Sequence, residues 1–177
     1  MDTQDMLTGS PTGSPSLQTK AIRFVVPGQP QGKGRPRVGQ IAGHARMFTP
    51  AKTVAYEGFI ALQAQIAMAH RDLVEGPVLV RMFVACQVPA SWSQRKQRDA
   101  LAGLHFPTTK PDTDNTVKAV FDGINGVVWK DDVQVVDLVL TKRYSASPRV
   151  EVEIVPIVAA APASVAPIAQ ASLLEAA

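Results

Sequence analysis

Between Lys110 and Asp137 the chain reads KPDTDNTVKAVFDGINGVVWKDDVQVVD, and this stretch restricts the fold more than any other. From Asp114 onward, Asp114, Lys118, Asp122 and Asn125 recur at i, i+4, i+8 and i+11. Beside that polar stripe runs an apolar one of Val117, Val120, Phe121 and Ile124, so residues 114–125 form an amphipathic helix with one face to a core. Pro111 disfavours a helical conformation at Lys110 and allows an extended approach. Asp112 and Asp114 would point roughly 200° apart on a helix but share a face on an extended segment. The expected arrangement is therefore an extended arrival with Asp114 near the N-cap, where two carboxylates can converge on one hard cation. After the Asn125-Gly126 turn, Trp129 anchors the loop, and Asp131 and Asp132 open the next strand. Only alternate strand residues share a face, so at most one of that pair points back to the helix.

Each of these residues also has a plain structural use. An Asp-x-Asp can be a turn and a helix cap, Lys118 can pair with Asp114 or Asp122 for only ~0.3–0.5 kcal/mol, and Asp131-Asp132 can be a corner. Their combination favours the functional reading. Six of the 12 acids between Ala21 and Pro156 crowd together as Asp112, Asp114, Asp122, Asp131, Asp132 and Asp137. Like charges repel, and a cation is the simplest reason to gather them.

The rest of the chain supplies a domain around this segment. AIRFVVP (21–27) reads as a strand and GQPQGKGRPR (28–37) as a loop broken by Gly and Pro. A helix starts at Thr49, with Thr49 as cap and Pro50 at the first helical position. PVLVRMFVACQV (77–88) is a strand, SQRKQRDALAGL (93–104) a short basic helix, and 132–145 and 149–157 are strands that look like a hairpin about Ala146–Pro148. The order β-α-β-α-α-β-β argues for an α/β or α+β domain, a small mixed β-sheet with helices packed against it. Residues 1–20, rich in Ser, Thr, Gly and Pro, read as a disordered tail, and residues 158–177 as an Ala/Pro-biased tail. The domain proper is 21–157.

Composition removes several function classes. With one cysteine among 177 residues there is neither an internal disulfide nor a cysteine-based zinc finger, and His44, His70 and His105 are too scattered for a histidine metal site. No apolar run reaches the ~20 residues of a membrane span. The N-terminus has no basic start followed by an apolar stretch, so a soluble, cytoplasmic protein is expected. An EF-hand loop beginning at Asp112 fails at its sixth and twelfth positions, which are Val117 and Gly123. GQPQGKG is one residue short of a phosphate loop, and Gly34 stands where Ser or Thr is required. Cys86 lies in an apolar strand and reads as core.

The net charge is +3, but between Ala21 and Pro156 there are 17 Lys and Arg against 12 Asp and Glu. Lys33, Arg35 and Arg37 alternate in the Gly/Pro-rich loop, and Arg95, Lys96 and Arg98 form a second cluster ahead of the acidic segment. Singly each could be a solvated surface. Two basic clusters flanking an acidic site suit an enzyme that uses a divalent cation on a nucleic acid, with basic groups drawing in phosphates and carboxylates holding the ion.

The pattern K-P-D-x-D-N-x-x-K-x-x-x-D, followed by N-G and W-x-D-D-x-Q-V, resembles the signature of the RusA family of Holliday-junction resolvases, common in phages and prophages. P-x-P-x-G-K-G-R-P-R and T-P-x-K-T-x-x-Y-E resemble its phage-type branch, and the likeness runs from about Ile22 to Ile157. The resemblance implies a homodimeric α/β endonuclease of the bacterial or phage-infected cytoplasm, using one or two Mg²⁺ (or Mn²⁺) per subunit to cut four-way DNA junctions by paired nicks in recombination and repair. It further implies Asp112, Asp114 and Asp132 as metal ligands and Lys118 as an essential basic residue. Asp122 matches a further acidic position that could hold Lys118 or support the site from behind, as could Asp131. The segment SWSQRKQRDALAGLHFPTTK is longer than in short members of the family. Two other readings share these residues: a non-catalytic junction-binding recombination protein, and a nuclease for flaps or other branched DNA.

Overall fold

A computed structural model describes residues 21–41 and 44–158; the expected tails, 1–20 and 158–177, lie outside the described residues except for Val158. The elements in chain order are β1 (Ile22–Pro27), β2 (Arg37–Ile41), β3 (His44–Phe48), α1 (Ala51–Met68), β4 (Val78–Gln87), α2 (Gln94–Leu101), α3 (Thr113–Ile124), β5 (Val135–Ser145) and β6 (Arg149–Pro156). Four strands make one mixed sheet in the order β1-β6-β4-β5, in which β4 and β5 are parallel and the other neighbours antiparallel. This is the α+β architecture expected.

Period-two alternation explains the sheet. Ile22, Phe24 and Val26 of β1 are buried between exposed neighbours, and Val150, Val152 and Ile154 of β6 and Val80, Met82 and Val84 of β4 continue the same face. Helices cover that face. Tyr56, Ile60, Ala64 and Met68 of α1 meet Val120, Phe121 and Ile124 of α3 in one core cluster with the strands. The apolar stripe expected on α3 is the one that is buried. Cys86, 3% exposed, is core as expected.

Four expectations on the elements need correction. The last two strands are not a hairpin: β5 pairs only with β4 in this sheet, and β4 lies between it and β6. Adjacency in sequence suggested a hairpin, but β4 uses both its edges, one for β5 and one for β6. The strand after the acidic segment begins at Val135 rather than Asp132, because the Asp131 carboxylate accepts the Val133 N–H (3.2 Å) and closes a 3-10 turn over Asp132–Gln134. Helix α1 begins at Ala51, with Pro50 rather than Thr49 in the capping position; the Pro50 carbonyl accepts the N–H groups of Thr53 (2.8 Å) and Val54 (3.2 Å). Finally, β2 and β3 form a separate antiparallel pair where no element was expected.

Candidate functional site

The site is built at the head and along one side of α3. Its approach is fixed from the sheet, since the Lys142 ammonium on β5 donates to the carbonyls of Thr109 (2.6 Å) and Pro111 (2.7 Å). Asp112, not Asp114, is the N-cap, with extended backbone angles of −69° and 147°. Its carbonyl accepts the N–H of Thr116 (3.0 Å) and the Thr116 hydroxyl (2.8 Å), while its carboxylate caps nothing and meets only Asn115 Nδ2, at 3.4 Å. The side chain is thus exposed and left over from folding. Asp114 sits in the first turn, where the helix dipole favours an acid. Lys118 follows one turn later and is exposed; neither it nor Asp112 or Asp114 is in an ion pair among the described residues.

Further down α3 a second group of charges forms. Asp122 does not meet Lys118; it accepts a hydrogen bond from Lys33, whose ammonium also lies 3.5 Å from Glu57 Oε1 on α1. Lys33, expected to follow a phosphate backbone, is three-quarters buried and turned inward. The bond to Asp122 holds its pKa above the ordinary lysine value, against the opposing effect of burial. The flanking glycines account for this inward turn. A Cβ on Gly32 would lie 3.0 Å from Asn115 Cβ, and one on Gly34 would lie 2.7 Å from Thr53 Oγ1. The loop therefore lies flat on the N-terminal turns of α1 and α3, and the Lys33 N–H donates to the Asn115 carbonyl (2.9 Å).

Asp132 belongs to this second group. Burial pushes its carboxyl pKa up, and the neighbouring Asp131 and Asp122 push it further. Asp114 and Asp122 are eight residues apart, about 12 Å along a helix axis. Asp112 and Asp114 thus mark the head of α3, whereas Asp132 is near enough to Asp122 to feel its charge. Among the described residues no three His, Cys, Asp or Glu side chains close into a group that could hold a metal. The donors suit a hard divalent cation in kind, being carboxylates, and the crowding that raises Asp132 is what a cation would relieve. The arrangement is an open set of two carboxylate groups rather than a closed cage.

Trp129 anchors the loop as expected. It is fully buried, donates from Nε1 to Asn125 Oδ1 (2.6 Å) and stands edge-on to Phe121 at 5.4 Å. The second basic cluster lies on α2, which Trp92 docks against Tyr144 of β5. Arg95 and Arg98 are exposed, and the Lys96 ammonium rests 3.9 Å from the Trp92 ring centroid. Arg35 is exposed too, and Arg37 opens β2. Sequence reasoning missed Glu57 and Lys142 as parts of the site. Glu57 carried one signal, being the sole acid in α1; Lys142 looked like any strand lysine.

Two comparisons bear on this arrangement. Residues 27–155 match the protein-family model described as "Endodeoxyribonuclease RusA". The chain is also 44% identical over 137 residues to "Uncharacterized protein YqaN" of Bacillus subtilis (strain 168), covering 75% of this chain and 94% of that protein. The matched region contains every carboxylate and every cation placed above.

Proposed function

This chain belongs to the RusA endodeoxyribonuclease family, and from that premise we propose that it is a magnesium-dependent endonuclease that resolves four-way DNA junctions by paired nicks, acting as a homodimer in the cytoplasm. The observation that carries the reading is the head of α3. There Asp112 and Asp114 are exposed and take no part in packing, with Lys118 on the same helix face one turn away. The helix dipole gives Asp114 a stabilising role, but the Asp112 carboxylate caps nothing, and binding a cation gives it a use.

Asp112 and Asp114 at the head of α3, and Asp132 in the second group of carboxylates, are the residues that would hold one or two divalent ions. When bound, a divalent cation lowers the pKa of its water and neutralises charge on the scissile phosphate. The chain's own groups do the rest. Lys118 donates to a phosphate oxygen and stabilises the charge that grows there as the attacking oxygen adds. Lys33 holds Asp122, and Asp131 closes the turn that presents Asp132. Arg35, Arg37, Arg95, Lys96 and Arg98 contact phosphates away from the cut and fix the register of the strand without reading bases. Among the described residues no helix is long and apolar enough to cross a membrane.

The test uses a labelled mobile four-way junction, with linear duplex and flap controls, in Mg²⁺ or EDTA. Wild type is expected to nick the junction symmetrically, and both EDTA and Asp112→Asn should abolish the nicks. Junction binding that survives Asp112→Asn, with no cutting by wild type, would replace this reading with that of a recombination accessory protein. Cutting confined to flaps would keep the chemistry and change the substrate.

A further inference from the structure

Asp112 and Asp114 stand at the head of a helix, but Asp132 opens a 3-10 turn of three residues between the buried Trp129 and β5. Two of the bonds that hold this turn are long. The Asp131 carboxylate accepts the Val133 N–H at 3.2 Å, and the Asp131 carbonyl accepts the Gln134 N–H at 3.3 Å. Like charge works against them, because Asp131 and Asp122 crowd the Asp132 carboxylate. Gln134, half-buried at the end of the turn, supplies a stronger hold. Its Oε1 accepts the Lys130 N–H (3.1 Å), and its Nε2 donates to the carbonyls of Val74 (2.8 Å) and Gly76 (3.0 Å). Both carbonyls belong to the connection between α1 and β4, and Val74 is itself fixed beside Trp129, its N–H donating to the Val128 carbonyl (2.7 Å). One carboxamide thus joins the residue before the aspartate pair to a rail anchored on the core. Its donor hydrogens and its acceptor are all used, so the amide has one orientation. Glutamate lacks the donors, methionine lacks all three groups, and asparagine lacks the reach.

We infer that Gln134 is a positioning residue, which holds this turn in the place from which Asp132 meets a divalent cation. The inference rests on the proposed reading of Asp132 as a ligand; the clamp itself does not. Its chemistry suits the task. An ammonium or guanidinium here would hold the turn by pairing with Asp131 and Asp132, and would compete with the ion for their charge. A carboxamide holds through neutral hydrogen bonds and leaves that charge to the cation. The clamp also favours tight binding, since folding, and not the ion, then brings the like charges close.

The test measures ion binding by the full chain without DNA, with Mn²⁺ as the probe in titration calorimetry and cooperative thermal unfolding as the folding control. Asp132→Asn should weaken Mn²⁺ binding, and Gln134→Met should weaken the same site by about tenfold or more, as loss of a group supporting a metal ligand does. Adding Gln134→Met to Asp132→Asn should cause no further loss, because Gln134 acts through that carboxylate. In junction nicking, Gln134→Met should raise the Mg²⁺ needed for half-maximal rate by the same factor, yet recover most of the wild-type rate at saturating Mg²⁺. Unchanged Mn²⁺ affinity in Gln134→Met, or losses that add in the double variant, would overturn the inference whatever happens to stability. Gln134→Asn, with the same groups on a shorter arm, replaces the methionine variant if that protein does not unfold cooperatively. Hydrogen exchange at the Lys130 amide reads the clamp alone, and Gln134→Met should speed it by about tenfold, the equivalent of one hydrogen bond. A wild type that shows this exchange difference but binds no Mn²⁺ keeps the clamp and sinks the reading of Asp132 as a ligand, and with it the role inferred for Gln134. Wild-type nicking whose Mg²⁺ dependence ignores position 134 overturns the inference alone.

Discussion

Two kinds of carboxylate lie along α3, and single substitutions should tell them apart. Asp112 contributes little to folding through its side chain, so Asp112→Asn should change the unfolding free energy measured in urea by no more than about 0.5 kcal/mol while removing cleavage. Asp122 is different, because it pairs with the partly buried Lys33. Asp122→Asn or Lys33→Met should each cost about 1–3 kcal/mol in urea unfolding, and the double variant should cost less than their sum. A Lys33→Met protein as stable as wild type would show that the Lys33–Asp122–Glu57 group contributes no net stability. This group could not be read from the sequence. Lys33 and Asp122 are 89 residues apart, and a lysine among glycines and arginines has the same composition as a phosphate-binding loop whether it points out or in. What the sequence did contain was the steric cause, in glycines on both sides of Lys33.

At the scale of elements, the contact between α1 and α3 sets where the site stands on the sheet. A Cβ on Gly123 would lie 3.0 Å from the Glu57 carbonyl oxygen, from Ile60 Cβ and from Ile60 Cγ2. None of these atoms is the end of a flexible chain. Gly123→Ala should therefore destabilise by about 1–3 kcal/mol, lowering the thermal midpoint, despite alanine's better helix propensity. A midpoint equal to or above wild type would mean that the two helices can separate freely. Elements with a buried face were legible for a physical reason: α3 shows its 3.6-residue period and β1 its two-residue period because each packs one side only. β2 and β3 were not, since every residue of β3 is exposed and leaves no pattern to read. The false β5–β6 hairpin has another cause. Local sequence registers that two strands follow each other but not that β4 lies between them.

For the whole molecule, the helices cover one face of the sheet, and on the other Arg23, Arg81, Glu151 and Glu153 stand among Val25, Phe83 and Val139. There Glu153 accepts from Arg23 Nε (2.8 Å) and Arg81 Nη1 (3.1 Å), and these two guanidinium groups, Arg23 foremost, hold its carboxyl below the usual range. A depressed folded pKa stabilises the fold above the unfolded glutamate's pKa of about 4.3 and loses that contribution as pH falls through the folded value. Wild type should thus lose stability on acidification more steeply than Glu153→Gln. The difference at neutral pH should be about 0.2–1 kcal/mol, as for exposed pairs, read from urea midpoints across the acid range. Parallel pH curves for the two proteins would remove Glu153 from the account. The single-layer design also bears on the Lys142 strap. Because the strap ties the carbonyls of Thr109 and Pro111 to β5, the first carboxylate of α3 is held from two sides, by an edge strand of the sheet and by the buried Thr116 of the helix. It works like a bracket with one foot on the door frame: replacing Lys142 would free that foot and leave the other in place.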